Sequence, residues 1–409
     1  MTNLHPANQM TVRALNSSLI LSCLRYQPSL TRANLAKSTG LNRSTVTNLV
    51  DDLIKQGFVI ETGIQPSSGG RPGIGLSLNP AGGMSIGVEI KDTFISVVLT
   101  DFLAQIVWRK THYFPNPDNY LAFDTLQPEI EALVQSAIDV HAAHNCDLLG
   151  IGIGLTGLVN VDEGISIHSP NLGWRNLPIR DIFEDRFKLP VFVGNGAALA
   201  ALSERHYGLS QDVQNSIYVA TSHTGVGSGI FINNQLFHGV RGYAGEIGHM
   251  VVNPAGTRCG CGRIGCWETE IGERHIAQRL IARIAAGEKS ILADQTDITL
   301  RGILNAAAQD DALAIETIDT LCRMLGLGLA NLVNIFNPDM IVLGGIFRDL
   351  PQPCIARVQQ IVESEAMGVA SSGIQIIRGA LPMEDACVLG AAALVLDDVL
   401  RVPTFHAIR

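Results

Sequence analysis

Residues 246–268 read Glu-Ile-Gly-His, then nine residues, then Cys-Gly-Cys-Gly-Arg-Ile-Gly-Cys-Trp-Glu. One imidazole and three thiols are a preferred set of ligands for tetrahedral Zn²⁺ at about 2.0–2.3 Å. The glycines between the cysteines let the backbone turn tightly around one ion. Four protein ligands leave no position open for water, so the pattern predicts one structural zinc ion per chain, held by His249, Cys259, Cys261 and Cys266. The alternative interpretations are unmetallated thiols and, less favoured by this pattern, a catalytic zinc.

The composition is typical of a folded protein from a reducing compartment. The chain has 409 residues, 46% hydrophobic and 16% charged, so we expect two or three globular domains and no extensive disorder. No apolar stretch reaches the ~18 residues of a membrane span, and the polar segment 1–13 lacks the apolar core of a secretory signal. Eight cysteines are too few for a disulfide scaffold, and their crowding at 259–266 favours metal binding. The sequence therefore predicts a cytoplasmic protein.

Positive charge is concentrated near the N-terminus. The first 80 residues contain seven lysines and arginines but three acids, whereas the whole chain has a formal net charge of −9. A small basic head on a large acidic body indicates that only the head approaches nucleic acid. Ordinary variation of charge along a chain is the alternative explanation.

The pattern of this basic segment predicts a helix-turn-helix. A first helix is expected over 16–26. Its predicted apolar face consists of Leu15, Leu19, Cys23 and Leu24. Thr31 is expected to cap a second helix that ends before Gly40, and Asn42 to cap a third helix that runs to about Gln56.

The third helix and the segment after it carry the candidate DNA-binding residues. One face of the helix presents short or basic hydrogen-bonding side chains, and strands at 58–61 and 74–78 are expected to flank a wing at 63–72. Such side chains reach phosphates and base edges in a major groove, and an arginine on a wing enters a minor groove or holds a phosphate. The predicted DNA-binding residues are Asn42, Arg43, Ser44, Thr45, Thr47, Asn48 and Arg71. The alternative is a three-helix module that only packs on the body or dimerises.

Beyond a joint at 80–83, alternating strands and helices predict an α/β body with two sheets. Strands are expected at 84–89, 93–101, 149–155, 191–193, 216–220, 227–232 and 340–343. Helices are expected at 197–207, 321–336 and 386–396.

The motif around the cysteines resembles the signature of the ROK family, which comprises repressors and sugar kinases. Its Glu-x-Gly-His and Cys-x-Cys-Gly-x-x-Gly-Cys-x-Glu elements stand at 246–249 and 259–268, and the resemblance covers essentially the whole chain. It implies an α/β protein with a winged helix-turn-helix over 1–80 and a two-lobed ribonuclease-H-like (actin/hexokinase) body. The lobes are expected at 84–200 and 201–409, with the final helix packing back on the first lobe and the family's substrates between the lobes.

The position of the kinases' general base carries no side chain in this chain. The ROK kinases have Asn-Asp-Ala-Asn-Ala-Ala, in which the Asp takes a proton from the attacking sugar hydroxyl, and the matching stretch here begins Asn195-Gly196. General-base catalysis is typically worth about 10²–10⁴ in rate. The kinases' phosphate loop Asp-x-Gly-Gly-Thr is matched by residues 89–93, where Lys91 and Asp92 replace the two glycines. Both departures predict the absence of kinase activity.

Most residues that hold sugar hydroxyls in the family have counterparts here. Carboxylates and amides accept from and donate to vicinal hydroxyls, and a histidine with one ring nitrogen on zinc keeps the other for a hydroxyl. The resemblance implies sugar contacts by Asn171, Asn195, Glu246, His249 and Glu268. The alternative is that these residues only support the zinc loop and the cleft. The pattern does not distinguish glucose, xylose and amino sugars.

The resemblance and Gly196 together predict a sugar-responsive DNA-binding regulator. We expect a repressor of carbohydrate-use genes that a sugar releases from its operator. Its expected partners are double-stranded operator DNA, a small sugar, and further copies of the chain in a homodimer or dimer of dimers. The alternative is an ATP-dependent sugar kinase with an accessory DNA-binding head. A third hypothesis is a regulator that responds to a protein partner.

Overall fold

The chain folds into two compact units. The computed structural model describes residues 9–65, 73–114, 122–222 and 225–401. The first unit takes the described residues up to Gly196 and from Val388 onward, and the second unit runs from Ala197 to Cys387. The N-terminal module, residues 9–78 (the head), is part of the first unit. None of the helices in the described ranges is long and apolar enough to span a membrane.

Three helices and a three-stranded sheet of order β1-β3-β2 form the head. In chain order its elements are α1 (Gln9–Tyr26), β1 (Leu30–Thr31), α2 (Arg32–Thr39), α3 (Arg43–Lys55), β2 (Val59–Gln65) and β3 (Gly73–Leu78). Thr31 caps α2 by accepting a hydrogen bond from the backbone N–H of Asn34 (3.2 Å), and Gly40 ends that helix at a φ of 71°. Asn42 caps α3 by accepting from the N–H of Thr45 (2.8 Å). The predicted helix-turn-helix and its caps are therefore confirmed. The predicted hairpin is also present, but its first strand continues to Gln65, so residues 63–65 belong to β2 and not to the wing.

The prediction for α1 is wrong in extent and in most of its buried face, although Leu24 is buried (2% exposed) as predicted. The helix begins at Gln9 rather than at residue 16. Leu15 and Leu19 are 58% and 41% exposed, whereas Ile20 and Leu21 are fully buried. Both sets satisfy helical spacing, and the side on which α2, α3 and β3 pack determines which one is buried.

The remainder of the first unit contains a five-stranded sheet of order β11-β7-β4-β5-β6 and a small sheet of order β10-β9-β8. Its elements are β4 (Met84–Ile90), β5 (Phe94–Thr100), β6 (Ile106–Tyr113), α4 (Phe123–His141), β7 (Leu148–Leu155), β8 (Leu158–Asn160), β9 (Ile165–Ser169), β10 (Trp174–Leu177), α5 (Ile179–Phe187) and β11 (Val191–Asn195). β7 and β4 are apolar along most of their length because both of their faces are buried.

The second unit has its own five-stranded sheet, of order β14-β13-β12-β15-β16. Its elements are α6 (Gly196–Tyr207, whose first residue belongs to the first unit), β12 (Ser216–Ser222), β13 (Gly225–Ile232), β14 (Gln235–Leu236), α7 (Trp267–Ile271), α8 (Glu273–Ala285), α9 (Leu300–Ala307), α10 (Ala312–Phe336), β15 (Met340–Gly345), α11 (Gln352–Glu365), α12 (Gly368–Ser371) and β16 (Gln375–Arg378). The two sheets confirm the predicted α/β body.

The last helix, α13 (Met383–Arg401), lies directly against the large sheet of the first unit. A Cβ added at Gly87 would be 2.1 Å from the carbonyl oxygen of Val388, and one added at Gly152 would be 1.8 Å from that of Ala391. Because no side chain fits in either space, these strand positions require glycine. The helix backbone therefore rests on the strand backbone with no intervening side chain.

Candidate functional site

A tight loop between β14 and α7 carries the three clustered cysteines. An antiparallel bridge pairs Val251 with Cys266 at the base of the loop. Gly265 has a φ of 75°, and a Cβ at this position would lie 1.7 Å from the carbonyl oxygen of Asn253. Only glycine satisfies both constraints, so the path of this loop requires glycine at position 265.

The four predicted metal ligands lie together in the second unit. The ligand atoms of His249, Cys259, Cys261 and Cys266 are all within 4.8 Å of one another. Sγ of Cys259 is 3.6 Å from Nδ1 of His249, and Sγ of Cys261 is 3.5 Å from Sγ of Cys266. Four atoms at about 2.0–2.3 Å from one tetrahedral ion are roughly 3.3–3.8 Å apart. The cluster therefore has the composition and the size to hold one metal ion.

The three thiols differ in acidity. Burial raises the pKa of Cys259 to about 12. At Cys261 burial acts in the same direction, but hydrogen bonds with the backbone N–H of Arg263 and with the thiols of Cys266 and Cys259 outweigh it and lower the pKa to about 7. Because a thiolate is the form that binds metal, Cys261 is the thiol closest to its binding form at neutral pH.

Glu268 is held beside the cysteines by the buried residue that precedes it. Trp267 is fully buried, and its Nε1 donates to the carbonyl oxygen of Met324 (2.8 Å). Oε2 of Glu268 accepts from the N–H of Val226 (3.0 Å), and Oε1 lies 3.5 Å from Sγ of Cys259. The carboxylate of Glu268 is therefore in direct contact with one of the clustered cysteines.

The ring of His249 lies between the cysteines and a second carboxylate. Its Nδ1 is the nitrogen near Cys259, and its Nε2 is 3.8 Å from Oε2 of Glu246. Burial raises the pKa of Glu246; the charge of His249 opposes this shift and that of Glu268 adds to it. A metal ion on Nδ1 thus leaves Nε2 on the side of the ring that faces Glu246.

The two predicted sugar-binding asparagines belong to the first unit. Asn195 ends β11, and its Nδ2 donates to the carbonyl oxygen of Gly157 (2.9 Å). Gly196 follows as the first residue of α6. Asn171 is half-buried between β9 and β10. The second unit holds the other three predicted contacts, Glu246, His249 and Glu268.

An internal ion pair occupies the segment that matches the kinases' phosphate loop. Nζ of Lys91 lies 2.6 Å from Oε1 of Glu89, whose side chain is only 3% exposed. The same ammonium group is 5.1 Å from the ring centroid of Phe94. The positive charge of Lys91 is therefore matched by the buried carboxylate of Glu89, near the end of β4.

The exposed end of α3 carries most of the predicted DNA contacts. Oγ of Ser44 donates to Oδ1 of Asn42 (2.7 Å), and Oγ1 of Thr47 donates to the carbonyl oxygen of Arg43 (2.9 Å). Thr45 is half-buried, and the other five are exposed: Asn42, Arg43, Ser44, Thr47 and Asn48. The predicted wing contact, Arg71, lies outside the described residues.

Sequence reasoning missed how the acids of the head are neutralised. Arg32 pairs with both Asp51 (2.8 Å) and Glu61 (2.9 Å), and Arg13 pairs with Asp52. These are the three acids among the first 80 residues. Their partners are 39, 19 and 29 positions away in the chain, so no local pattern indicates the pairing. None of these acids therefore presents an unpaired charge to DNA.

Comparison with known proteins agrees with this architecture. The model of the ROK family matches residues 85–398, and that of the MarR family matches residues 15–62. The xylose repressor of Caldicellulosiruptor bescii is 30% identical over 406 residues, covering 97% of this chain and 99% of the repressor. The DNA-binding transcriptional dual regulator NagC of Escherichia coli K12 is 31% identical over 384 residues, covering 94% of this chain and 93% of NagC.

Two of the similar solved structures are a transcriptional regulator and a sugar kinase. A ROK family transcriptional regulator, a homologue of the E. coli MLC protein, has a TM-score of 0.82 at 28% identity, covering 95% of this chain and 97% of that chain. A ROK family glucokinase from Streptomyces griseus, in complex with glucose and AMPPNP, has a TM-score of 0.65 at 29% identity, covering 76% of this chain and 98% of the kinase. The regulator thus matches nearly the whole chain. With a family model that spans most of its length, the chain belongs to the ROK family.

Proposed function

We propose that the protein is a sugar-responsive DNA-binding repressor that does not phosphorylate its sugar. The observation that carries the proposal is Gly196, which directly follows Asn195 in a chain that also has a winged helix-turn-helix head. Relatives of nearly the same length are named as repressors or transcriptional regulators, which supports the same conclusion.

Two features argue against phosphoryl transfer. Glycine at position 196 has no group that could take the proton from a sugar hydroxyl, a loss typically worth about 10²–10⁴ in rate. The ion pair between Lys91 and Glu89 places side chains in a loop that needs backbone amides to hold phosphate. Sugar kinase activity remains the competing function, since a ROK glucokinase shares the fold of about three quarters of the chain.

In this proposal the DNA contacts are made by the head. Arg43 and Asn48 are exposed within α3, and arginine and asparagine form bidentate contacts with guanine and adenine. Asn42, Ser44, Thr45 and Thr47 would fix the helix end and contact phosphates. Arg71 would act from the wing. A homodimer or dimer of dimers would present two heads to two half-sites.

The cysteine cluster would hold one structural zinc ion through His249, Cys259, Cys261 and Cys266. Zinc would supply a rigid cross-link and no open coordination position. The residues around it carry the functional consequence, since Glu268 contacts Cys259 and Glu246 lies beside His249. By fixing the loop, the zinc ion would also fix the positions of Glu246 and Glu268, two of the residues proposed to bind the sugar.

The effector we propose is a neutral monosaccharide bound through Asn171, Asn195, Glu246, His249 and Glu268. A sugar releases DNA only if it binds the DNA-incompetent conformation more tightly than the DNA-competent one. Couplings of about 1–3 kcal/mol change affinity roughly 5–150-fold. A regulator that answers to a protein partner instead of a sugar is the remaining alternative.

The proposal is tested by combining DNA binding with a kinase assay. Footprinting of the purified protein on its own upstream DNA, with xylose, glucose and N-acetylglucosamine added one at a time, should identify a protected site that one sugar releases. The same sugar should give no ADP with saturating ATP and Mg²⁺. Sustained sugar-dependent ADP formation would instead identify a kinase.

Matched variants separate sugar binding from folding. Glu246→Gln should bind DNA normally and fail to respond to the sugar, whereas Asp212→Asn, an exposed acid of the same unit, should respond like the wild type. Failure of every tested sugar to bind in calorimetry would favour the protein-partner alternative.

A further inference from the structure

Two buried cysteines lie side by side where α10 packs against α11, in the core of the second unit. Cys322 is on α10 and Cys354 on α11, the two residues are 2% and 9% exposed, and both are free thiols. The two thiols are hydrogen-bonded to each other. Neither belongs to the cysteine loop, to the head or to the residues proposed to bind a sugar, so the proposed function gives this pair no role.

The two helices come close together next to the pair. Gly326 is one turn after Cys322 on the same side of α10, and a Cβ added at Gly326 would lie 2.6 Å from Cγ2 of Ile361 on α11. Glycine at this position therefore lets the backbone of α10 approach α11 without an intervening side chain. A disulfide requires Cα atoms about 4.4–6.8 Å apart, which two helices provide only where they pack this closely.

The contact also makes one of the two thiols reactive. A buried cysteine is usually inert because burial favours the neutral thiol. At Cys354 the hydrogen bond with Cys322 outweighs burial and the charge of Asp319 and lowers the pKa, whereas the same bond and burial raise the pKa of Cys322. Cys354 is also the third residue of α11, and the N-terminus of a helix favours a thiolate. Cys354 is therefore the nucleophile, and Cys322 is the thiol that donates to it.

We propose that Cys322 and Cys354 form a redox site at which a hydroperoxide produces an intramolecular disulfide. With hydrogen peroxide, the Cys354 thiolate attacks one oxygen, the O–O bond breaks, and the sulfur becomes a sulfenic acid. The hydroxide that leaves takes up the proton that Cys354 had lost, which gives water. The thiol of Cys322 then attacks the sulfenic sulfur, and its proton leaves with the hydroxyl group as a second water molecule. The two thiols are oxidised by two electrons, which reduce one peroxide to two molecules of water.

The opposite side of α10 supports Trp267, the residue before Glu268. A Cβ added at Gly328 would lie 2.0 Å from Cε2 of Trp267, and Nε1 of Trp267 donates to the carbonyl oxygen of Met324 (2.8 Å). Gly326 and Gly328 are separated by about 200° around the helix axis, so α11 and Trp267 contact nearly opposite sides of α10. Because a disulfide brings its sulfurs closer than hydrogen-bond contact, its formation draws α10 toward α11 and away from Trp267. Oxidation therefore loosens the support of Glu268, a consequence that rests on the proposed function where it concerns sugar binding.

Peptide mapping tests the disulfide itself. The reduced full chain, saturated with Zn²⁺, is treated with increasing hydrogen peroxide, its remaining thiols are blocked with N-ethylmaleimide, and its peptides are identified by mass spectrometry. The peptides that contain Cys322 and Cys354 should be joined, lighter than their sum by two hydrogen atoms, and separated by dithiothreitol. The inference is overturned if both residues are still alkylated at a peroxide concentration that oxidises Cys146, a half-buried cysteine of the first unit.

Hydrogen exchange tests the connection to Trp267 without a sugar. Peroxide should increase the exchange of the amides of residues 267–272 in the wild type, and dithiothreitol should reverse the change. Cys354→Ser and Cys322→Ala should show no such increase, whereas Cys146→Ser should behave like the wild type. A cross-linked protein with unchanged exchange at 267–272, or an equal increase in Cys354→Ser, would disprove the connection.

Calorimetry extends the test to the sugar. Xylose, glucose and N-acetylglucosamine are titrated into the reduced and the oxidised protein. Oxidation should weaken sugar binding by the wild type roughly two- to tenfold, the range expected for one hydrogen bond, and should leave Cys354→Ser unaffected. Equal affinity of the reduced and the cross-linked protein would contradict the effect on Glu268. If the reduced wild type binds none of these sugars, the proposed function fails, and mapping and exchange still decide the redox site.

Discussion

The ion pair between the head and the last helix allows the loss of stability on its removal to be predicted. Nη1 of Arg25, on α1, lies 2.5 Å from Oδ1 of Asp397, on α13, and the two side chains are 9% and 26% exposed. Exposed ion pairs contribute about 0.2–1 kcal/mol, whereas removing one partner of a buried pair costs about 3–5 kcal/mol. With one partner nearly buried and the other a quarter exposed, Asp397→Asn should cost roughly 1–3 kcal/mol.

A double-mutant cycle measures this contribution. Arg25→Gln, Asp397→Asn and the double variant are compared by hydrogen exchange of the α1 amides, which reports the free energy of opening the head locally. Each single variant should increase exchange, and the double variant should be less destabilised than the sum of the two. Asp398→Asn, an exposed neighbour on the same helix, is the matched control.

Two results would refute this reasoning. One is a coupling energy below about 0.3 kcal/mol, which is within the additivity error of independent sites. The other is an equal effect of Asp398→Asn, which would assign the change to the helix as a whole rather than to the ion pair.

Three further predictions concern the metal, the DNA contact and the sheet. Protein purified without added metal should contain about one zinc per chain by elemental analysis and Cys261→Ser should not; metal-free protein with full sugar response would contradict this. Arg43→Ala should weaken operator binding by about 1–3 kcal/mol in anisotropy titrations and relax the base preference at one operator position, whereas an unchanged affinity would remove α3 from the interface. Gly152→Ala should destabilise the first unit by about 3 kcal/mol in denaturant unfolding, because its Cβ would lie 1.8 Å from the carbonyl oxygen of Ala391; near-wild-type stability would show that α13 moves away easily.

The features that the sequence predicts well are those formed by neighbours in the chain. Thr31 and Asn42 cap helices whose first turns follow them directly. The cysteine cluster assembles within a short loop because Gly265 permits its backbone path. The cap partners are three positions apart, and the four candidate metal ligands all lie between residues 249 and 266, so spacing within the chain identifies both features.

The features that sequence reasoning misses depend on distant partners. The exposure of Leu15 and Leu19 follows from which face of α1 the rest of the head covers, and helical spacing is satisfied by either choice. Arg25 and Asp397 are 372 positions apart, and nothing in the sequence near either residue indicates the other.

Helix α13 contacts both the head and the large sheet of the first unit, so a movement of the sheet can be transmitted to the head through this helix. Within the first unit α13 touches the large sheet through Gly87 and Gly152, backbone against backbone, and touches α1 through Asp397. Such close packing transmits displacement rather than absorbing it, so we expect the position of α1 to follow that of the sheet.

If the ion pair is part of this connection, Asp397→Asn should reduce the factor by which sugar lowers operator affinity. Because binding linkage is reciprocal, it should reduce by the same factor the effect of operator DNA on sugar affinity. A coupling factor that is unchanged in Asp397→Asn would show that the ion pair does not connect the two binding events.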